Sequence, residues 1–342
     1  MHGTRRSLSV ALPADRRTFV VALAGTLFGL SSGLRAQTPA APRRIGFLSA
    51  FARVDVEAVR NEIRPELAKL GWIDGRTIVL LDPRTSEGRN DRLPPMAVEA
   101  IAENPDVILV QSAPATRALM NATKTIPIVM VGVGNPVEYG MVADYRKPGG
   151  NVTGASYLAD ESLLKTLELL KEAAPRLRSV AVFSNPSNEA ATPMIKRMRA
   201  DVAGHGMRMQ VAEVSGPGDF ERAFAAIGRE GTESILLPPE ALIRTNRAAI
   251  ADFAFARKLP LAIVGSSRYL PANGLMSYGP TTTQYAQLTA RYVDRILKGA
   301  NPADLPVEQP SRFELAINLK TAQALGLAIP QSLLARADEV IQ

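Results

Sequence analysis

The chain contains no cysteine. That excludes disulfides, thiolate nucleophiles, cysteine-ligated zinc and a lipid-modified N-terminal cysteine. Histidine is almost as scarce, with His2 and His205 alone. His205 stands in Ala203-Gly204-His205-Gly206, a helix C-terminal turn that leaves its ring solvated. No Ser-His-Asp set, His-Glu-x-x-His helix or Walker loop is present. Aromatic residues make up 5% of the chain, and its one tryptophan, Trp72, sits in a Gly-Trp-Ile-Asp-Gly turn that reads as structural. Beyond the N-terminus no apolar run approaches the length of a membrane span.

A one-sided charge is also missing. The net charge is +7, but residues 1 to 36 hold Arg5, Arg6, Arg16, Arg17 and Arg35 against Asp15 alone. Their net of +4 leaves only +3 on the other 306 residues, which is no footprint for nucleic acid. What is present is a globular composition, 46% hydrophobic and 21% charged over 342 residues, long enough for two domains with a core each.

The first 36 residues read as a targeting segment. Arg16-Arg17-Thr18-Phe19-Val20 opens a short apolar run ending at Leu30, and Leu34-Arg35-Ala36 supplies a small residue at an exit. Basic region, apolar core and small-residue exit predict a signal peptide cleaved near Ala36 and a periplasmic protein. The paired arginines point to the twin-arginine route. Asp15 stands where Ser or Thr is usual, so the general route stays open, as does an uncleaved anchor.

From residue 43 onward, continuous apolar runs alternate with helical patterns. Strands are expected at 44–49, 77–81, 106–110 and 127–131, with helices at 54–70 (Pro65 kinking or dividing it), 92–103 and 114–123. Strands that are apolar throughout belong to parallel sheets covered on both faces, and these spacings leave room for crossover helices. Pro148-Gly149-Gly150, running into Asn151-Val152-Thr153-Gly154-Ala155-Ser156-Tyr157, reads as a loop followed by an extended crossover. The alternation then restarts, with strands at 179–183, 207–213, 234–237 and 261–264 and helices at 160–173, 189–203, 219–229 and 245–257. The segment 274–279 is a candidate return crossing, followed by a helix at 282–298, a Pro-punctuated passage, a strand at 312–317 and helices near 319–325 and 330–336. The fold class is therefore α/β, with two doubly wound lobes joined by several passages, a hinge architecture able to close on a ligand.

The tail carries a resemblance. Ile296-Leu297-Lys298-Gly299-Ala300-Asn301-Pro302, Leu305-Pro306-Val307, Phe313-Glu314-Leu315-Ala316-Ile317-Asn318-Leu319 and Leu325-Gly326-Leu327-Ala328-Ile329-Pro330 resemble the ABC-transporter substrate-binding family that includes the tryptophan-binding protein TrpX. Leu70-Gly71-Trp72-Ile73-Asp74-Gly75-Arg76, Asn135-Pro136-Val137 and the stretch 148–154 are similar to it too, so that residues 43 to 342 are covered. The resemblance implies a type I periplasmic-binding fold: two Rossmann-like lobes, a three-strand hinge and a ligand between them. The first lobe would comprise 43–152 with about 279–308 and the second 156–275 with about 312–342, with hinge crossings near 152–158, 275–279 and 307–313. It further implies no enzymatic activity, no cofactor, a monomer, and an ABC permease as membrane partner receiving a small solute (an amino acid, an aromatic acid or another small carboxylate).

In open α/β sheets ligands bind outside the carboxyl ends of strands, where loops feed helix N-termini with free N–H groups. The candidates read from those loops are Ser49, Phe51, Ser112, Ala113, Pro114, Asn135, Asn185, Asn188 and Glu240, with Tyr157 and Tyr278 from the crossovers. Ser112 with nearby amides is assigned an anionic group, Asn135 and Asn188 polar atoms, and Phe51, Tyr157 and Tyr278 an apolar wall. Each has a plain structural alternative: Ser112 as a helix cap, Asn135-Pro136 and Asn185-Pro186 as turns, the tyrosines as packing. The resemblance implies Asp-Pro-Val where this chain has Asn135-Pro136-Val137; Asn brings no charge for an α-ammonium, leaving Glu138 or Glu240 to compensate.

Other readings compete. Gly132-Val133-Gly134 lacks the third glycine of a dinucleotide loop and is followed by Pro136, against a cofactor enzyme. A ligand-sensing repressor needs a helix-turn-helix that the leader does not supply. An exported sensor docking on a membrane receptor differs only in its partner and stays open.

Overall fold

Continuous apolar runs become strands buried on both faces, and helices with one apolar stripe cover them. The computed structural model describes residues 41–157 and 159–342; the leader read at 1–36 lies outside the described residues. In chain order, the first half holds β1 (Arg43–Ser49), α1 (Arg53–Lys69), β2 (Ile78–Leu80), β3 (Arg84–Thr85), α2 (Leu93–Ala102), β4 (Val107–Gln111), α3 (Ala113–Ala122), β5 (Ile128–Gly134) and β6 (Val152–Tyr157). They form a parallel sheet in the order β2-β1-β4-β5-β6, with β3 also paired to β1. Helix α1 shows the logic: Val56, Val59, Ile63 and Leu67 make its buried stripe, while Pro65 is exposed inside a helix that runs unbroken from 53 to 69.

The second half holds α4 (Ala159–Ala173), β7 (Ser179–Ser184), α5 (Ala191–Gly204), β8 (Arg208–Glu213), α6 (Phe220–Glu230), β9 (Ile235–Leu237), α7 (Ala241–Thr245), α8 (Arg247–Ala256), β10 (Leu261–Val264) and β11 (Met276–Pro280). After α9 (Thr282–Leu297) come β12 (Phe313–Asn318), α10 (Leu319–Ala324), α11 (Gln331–Leu334) and β13 (Glu339–Ile341). The second sheet runs β13-β12-β11-β10-β9-β7-β8 and is parallel except for the β11–β12 pair. One core lies around the first sheet and takes in α9, Leu305 and Val307; two others involve residues of the second sheet, one of them with Phe183, Phe220 and Phe224 clustered at ring-centroid separations of 6.0 to 6.3 Å.

Two segments differ from the expectation. Val152–Tyr157 is the edge strand of the first sheet, so the passage to the second begins only at its end. Met276–Pro280 is an interior strand of the second sheet, and the return passage follows it at Thr281. Helix α9 then packs on α1, β5 and β6, where the Trp72 indole donates to Asp294 at 2.9 Å. A third passage lies along β6: Glu308 N donates to Gly154 O at 3.1 Å, and Ser156 N to Glu308 O at 2.9 Å.

Gly154 makes the β5–β6 pairing possible. Its φ is +121°, and a Cβ there would lie 2.5 Å from the backbone N and O of Met130. Gly154→Ala is therefore expected to cost about 2–4 kcal/mol through strain and a forced separation of the two strands, read as a lowered urea midpoint.

Candidate ligand-binding site

The carboxyl ends of the two sheets line one cavity. Its void is about 1220 Å³ with the open solvent at its mouth included, of a size for a small molecule rather than a polymer. Gln111 and Ser112 reach it from the end of β4, Gly132 to Gly134 from β5 and Tyr157 from β6. From the second sheet come Phe183 to Asn185 after β7, Pro238 to Ala241 after β9 and Val264 to Ser266 after β10.

Eight of the expected residues line this space: Phe51, Ser112, Ala113, Pro114, Tyr157, Asn185, Asn188 and Glu240. Ser112 is held at φ +82°, and its hydroxyl caps α3 by accepting from Ala115 N at 3.3 Å. Asn188 accepts from Ala190 N at 3.1 Å, a turn that leaves its amide nitrogen for other use. Asn185 is fully buried and donates to Glu240 Oε1 at 2.9 Å, while Glu240 Oε2 caps α7 at Ile243 N, 3.1 Å away. Burial pushes the Glu240 carboxyl above its usual range against these hydrogen bonds.

Three expected residues do not reach the cavity. Ser49 is buried beneath it and accepts from Phe51 N at 3.1 Å, shaping the turn that presents Phe51. Asn135 lies behind the wall and donates to Asp160 Oδ2 at 2.7 Å and Glu138 Oε2 at 3.3 Å. Tyr278 falls on the other face of β11: it stacks on Phe313 at 5.6 Å and packs on the core beneath α4. Alternation along the strand puts Tyr278 on the same core-facing side as Met276, and the residue of β11 that lines the cavity is Pro280, at the strand's end.

The cavity also holds residues that strand-end reading missed. Asp160, in the first turn of α4, is one. Burial raises its carboxyl above the usual range although Arg197 pairs with it at 2.6 Å, and its Oδ1 has no hydrogen-bond partner. Tyr139, beside that acid, is pushed up to about 12, chiefly by burial. Tyr157, Tyr269 and Tyr285 are likewise raised by burial and stay neutral phenols at any ordinary pH. Arg244, one turn into the helix that Glu240 caps, is another. It is 8% exposed, and its guanidinium carbon lies 4.7 Å from the Phe51 ring centre and 4.0 Å from that of Tyr269. Its one side-chain hydrogen bond is a long one, Nη2 to Val264 O at 3.5 Å; Nε has none. The signal available in the sequence was a lone Arg in the apolar run Ala241-Leu242-Ile243-Arg244 after a strand-end loop.

The cleft is shut by ties between the two halves. Arg247 holds Asp55 through two bonds at 3.1 and 3.2 Å. Arg268 pairs with Glu62, Arg197 with Glu138 at 2.6 Å and Arg117 with Glu189 at 3.1 Å. Asn90 donates to Ser187 at 3.1 Å. Exposed pairs contribute little each, about 0–1 kcal/mol; Asp55–Arg247, with side chains 9% and 22% exposed, is the least exposed of the set. At Gly88, φ +84°, the backbones meet so closely that a Cβ would sit 2.6 Å from Leu242 Cα.

Two doubly wound sheets facing each other across an enclosed, aromatic and polar cavity define a two-lobed solute-binding protein of the type I periplasmic-binding fold. Residues 55–341 match the family model of ABC transporter substrate binding proteins, and the chain belongs to that family. It is 25% identical over 286 residues to the tyrosine-binding protein of Clostridioides difficile strain R20291, covering 83% of this chain and 81% of that protein. The ABC domain from Streptococcus pneumonia, solved in complex with L-Trp, superposes with a TM-score of 0.80 at 25% identity, over 88% of this chain and 100% of that one. A conserved domain protein from Vibrio cholerae O1 biovar El Tor gives 0.81 at 29% identity, over 87% and 99%. The family and its fold are those of ligand binders that work with ABC transporters outside the cytoplasm.

Two outcomes follow from this geometry. Arg247→Ala leaves Asp55 largely buried without its partner and should shift the open–closed balance toward open by about 1–2 kcal/mol, seen as a larger radius of gyration in X-ray scattering; Gly88→Ala should act in the same direction. For Glu240, a carboxyl raised in the folded state holds its proton longer than in the unfolded chain. Its contribution is therefore complete below about 4.5, the ordinary value, and is lost as pH rises through the folded one. Glu240→Gln should flatten that part of the fall in melting temperature as pH rises above about 4.5.

Proposed function

We propose that the protein captures a small solute with an apolar, ring-sized body and a polar end, and delivers it as the closed form to an ABC permease. The observation that carries this is the enclosed cavity itself: both sheets contribute strand-end loops to it, and cross-cleft ties shut it. Phe51 and Tyr157 wall the apolar body, while Ser112 with the first amides of α3 and Asn188 meet the polar end. The relatives of the tyrosine-binding and L-Trp-bound kinds support an aromatic amino acid or a related aromatic acid as solute. We further read the protein as a monomer in the periplasm, exported through the signal peptide at 1–36, because a permease must contact both halves of the closed molecule.

A thermal-shift screen of residues 37–342 against amino acids, aromatic acids, small carboxylates, sugars and purines tests this. A bound class should stabilise the fold by about 2.7 kcal/mol at a hundredfold excess over Kd, and Ser112→Ala or Asn188→Ala should shrink that shift. No shift with any class, in protein stripped of co-purified ligand, counts against solute capture.

A further inference from the structure

Arg244 is a cation without a counter-ion. An arginine stays charged in a protein at any ordinary pH, and burying it unpaired costs several kcal/mol. Among the described residues no carboxylate lies within ion-pairing distance of it. The nearest acid along the helix, Glu240, stands one turn away with both oxygens engaged by Asn185 and Ile243 N. The rings of Phe51 and Tyr269 hold the guanidinium in place by cation–π contact, yet an aromatic ring is a poor acceptor for its N–H groups. Val264 O takes one of them at 3.5 Å, and Nε is left with none in a side chain more than nine-tenths buried. Gly265, at φ +145°, keeps the space beside it clear: a Cβ there would stand 3.3 Å from Nη2.

We propose that Arg244 is the receptor for the solute's carboxylate, so that the site selects small aromatic or apolar carboxylates. The proposal rests on the solute-capture reading and sharpens it. The planar guanidinium offers paired donors that match the two oxygens of a carboxylate, whereas Ser112, whose O–H can still donate one hydrogen bond, brings no charge. Phe51 comes from the first half and Arg244 from the second, so closing the cleft seals the ion pair under an aromatic ring, where it is strongest. The carboxylate of a free aromatic acid and that of an amino acid fit equally. They differ at Asp160, whose free Oδ1 is the available partner for an α-ammonium.

The experiment is calorimetric titration of residues 37–342 with phenylacetate, 4-hydroxyphenylacetate, L-phenylalanine, L-tyrosine and L-tryptophan, each beside its neutralised carboxamide. At least one carboxylate should bind, with its carboxamide weaker by about a hundredfold, and Arg244→Gln should lose about the same factor for the carboxylate alone. Preference for the acids without nitrogen, or for the amino acids, identifies which source of carboxylate the site takes. Equal binding of acid and carboxamide by the unmodified protein overturns the proposal without recourse to a variant. So does undiminished binding by Arg244→Gln. Binding of a sugar or purine with no carboxylate binding at millimolar concentration also overturns it while leaving solute capture intact; silence from every class removes both. The ligand-free protein gives a second readout. Arg244→Met should melt no lower than the unmodified chain, because it removes an uncompensated buried charge, whereas a structural arginine would lower the melting temperature.

Discussion

The chain passes between its two sheets three times, and the three passages are bonded to one another. The edge strand β6 exchanges backbone hydrogen bonds with Glu308 of the third passage, and Thr281 N of the second donates to Arg312 O of the third at 3.2 Å. This small bonded strip joins the three passages side by side. Each sheet carries helices and side chains interlocked at interior density, and the backbone passes between the two around residues 157, 281 and 310. Parallel strands impose the rest of the geometry. All the loops with free N–H groups emerge at the carboxyl ends, and the strip holds those ends toward each other.

A cleft hinged in this way needs a weak preference for closure. If the ties across it were strong, the lobes would stay shut without solute and nothing would be reported by closing. The ties observed are mostly of the weak kind: exposed arginine–carboxylate pairs and a single amide–hydroxyl bond. Only Asp55–Arg247 is shielded from water on both sides. Against these small terms stand the buried groups of the cavity that are left short of partners, Arg244 Nε and Asp160 Oδ1. Their dissatisfaction opposes closure over an empty site and is relieved by a solute that supplies the missing groups, which is the condition for a ligand to shift the balance.

The fold was legible because its strands are continuous apolar runs and its helices carry clean stripes; Leu261–Val264 has the same bounds in sequence and structure. Legibility failed where pairing, not composition, defines the element. Val152–Tyr157 has a Pro-Gly-Gly turn before it and a glycine inside it, so it looks like a connection, and only its pairing with β5 across the sheet makes it a strand. The helix expected at 245–257 is there as 247–256, but the short helix 241–245 before it is not legible in the sequence; Asn246, whose amide folds back on Leu242 O, divides the two. For the site, strand-end loops were the right place to look and brought Ser112, Asn185, Asn188 and Glu240 to the cavity. Tyr278 was lost because it shares the core-facing side of β11 with Met276. Arg244, Asp160, Tyr269 and Tyr285 enter from helices or a short turn beyond those loops, and no local rule announces which side chain of a helix will face a cleft formed only by tertiary closure.

Asn135 shows how one position outside the cavity bears on what the cavity accepts. Its amide donates to both Asp160 and Glu138, and Arg197 pairs with the same two acids. One arginine thus serves two carboxylates, and a neutral donor supplies what a second cation otherwise would. An aspartate at 135, the residue that the family resemblance implies there, would set a third carboxylate against these two, with like charges at hydrogen-bonding distance and no cation to spare. The asparagine therefore belongs with Arg197 as one arrangement that keeps the acidic corner near neutrality. Of the charged groups lining the cavity, Arg244 is then the cation with no carboxylate at ion-pairing distance, while Asp160 is held by Arg197.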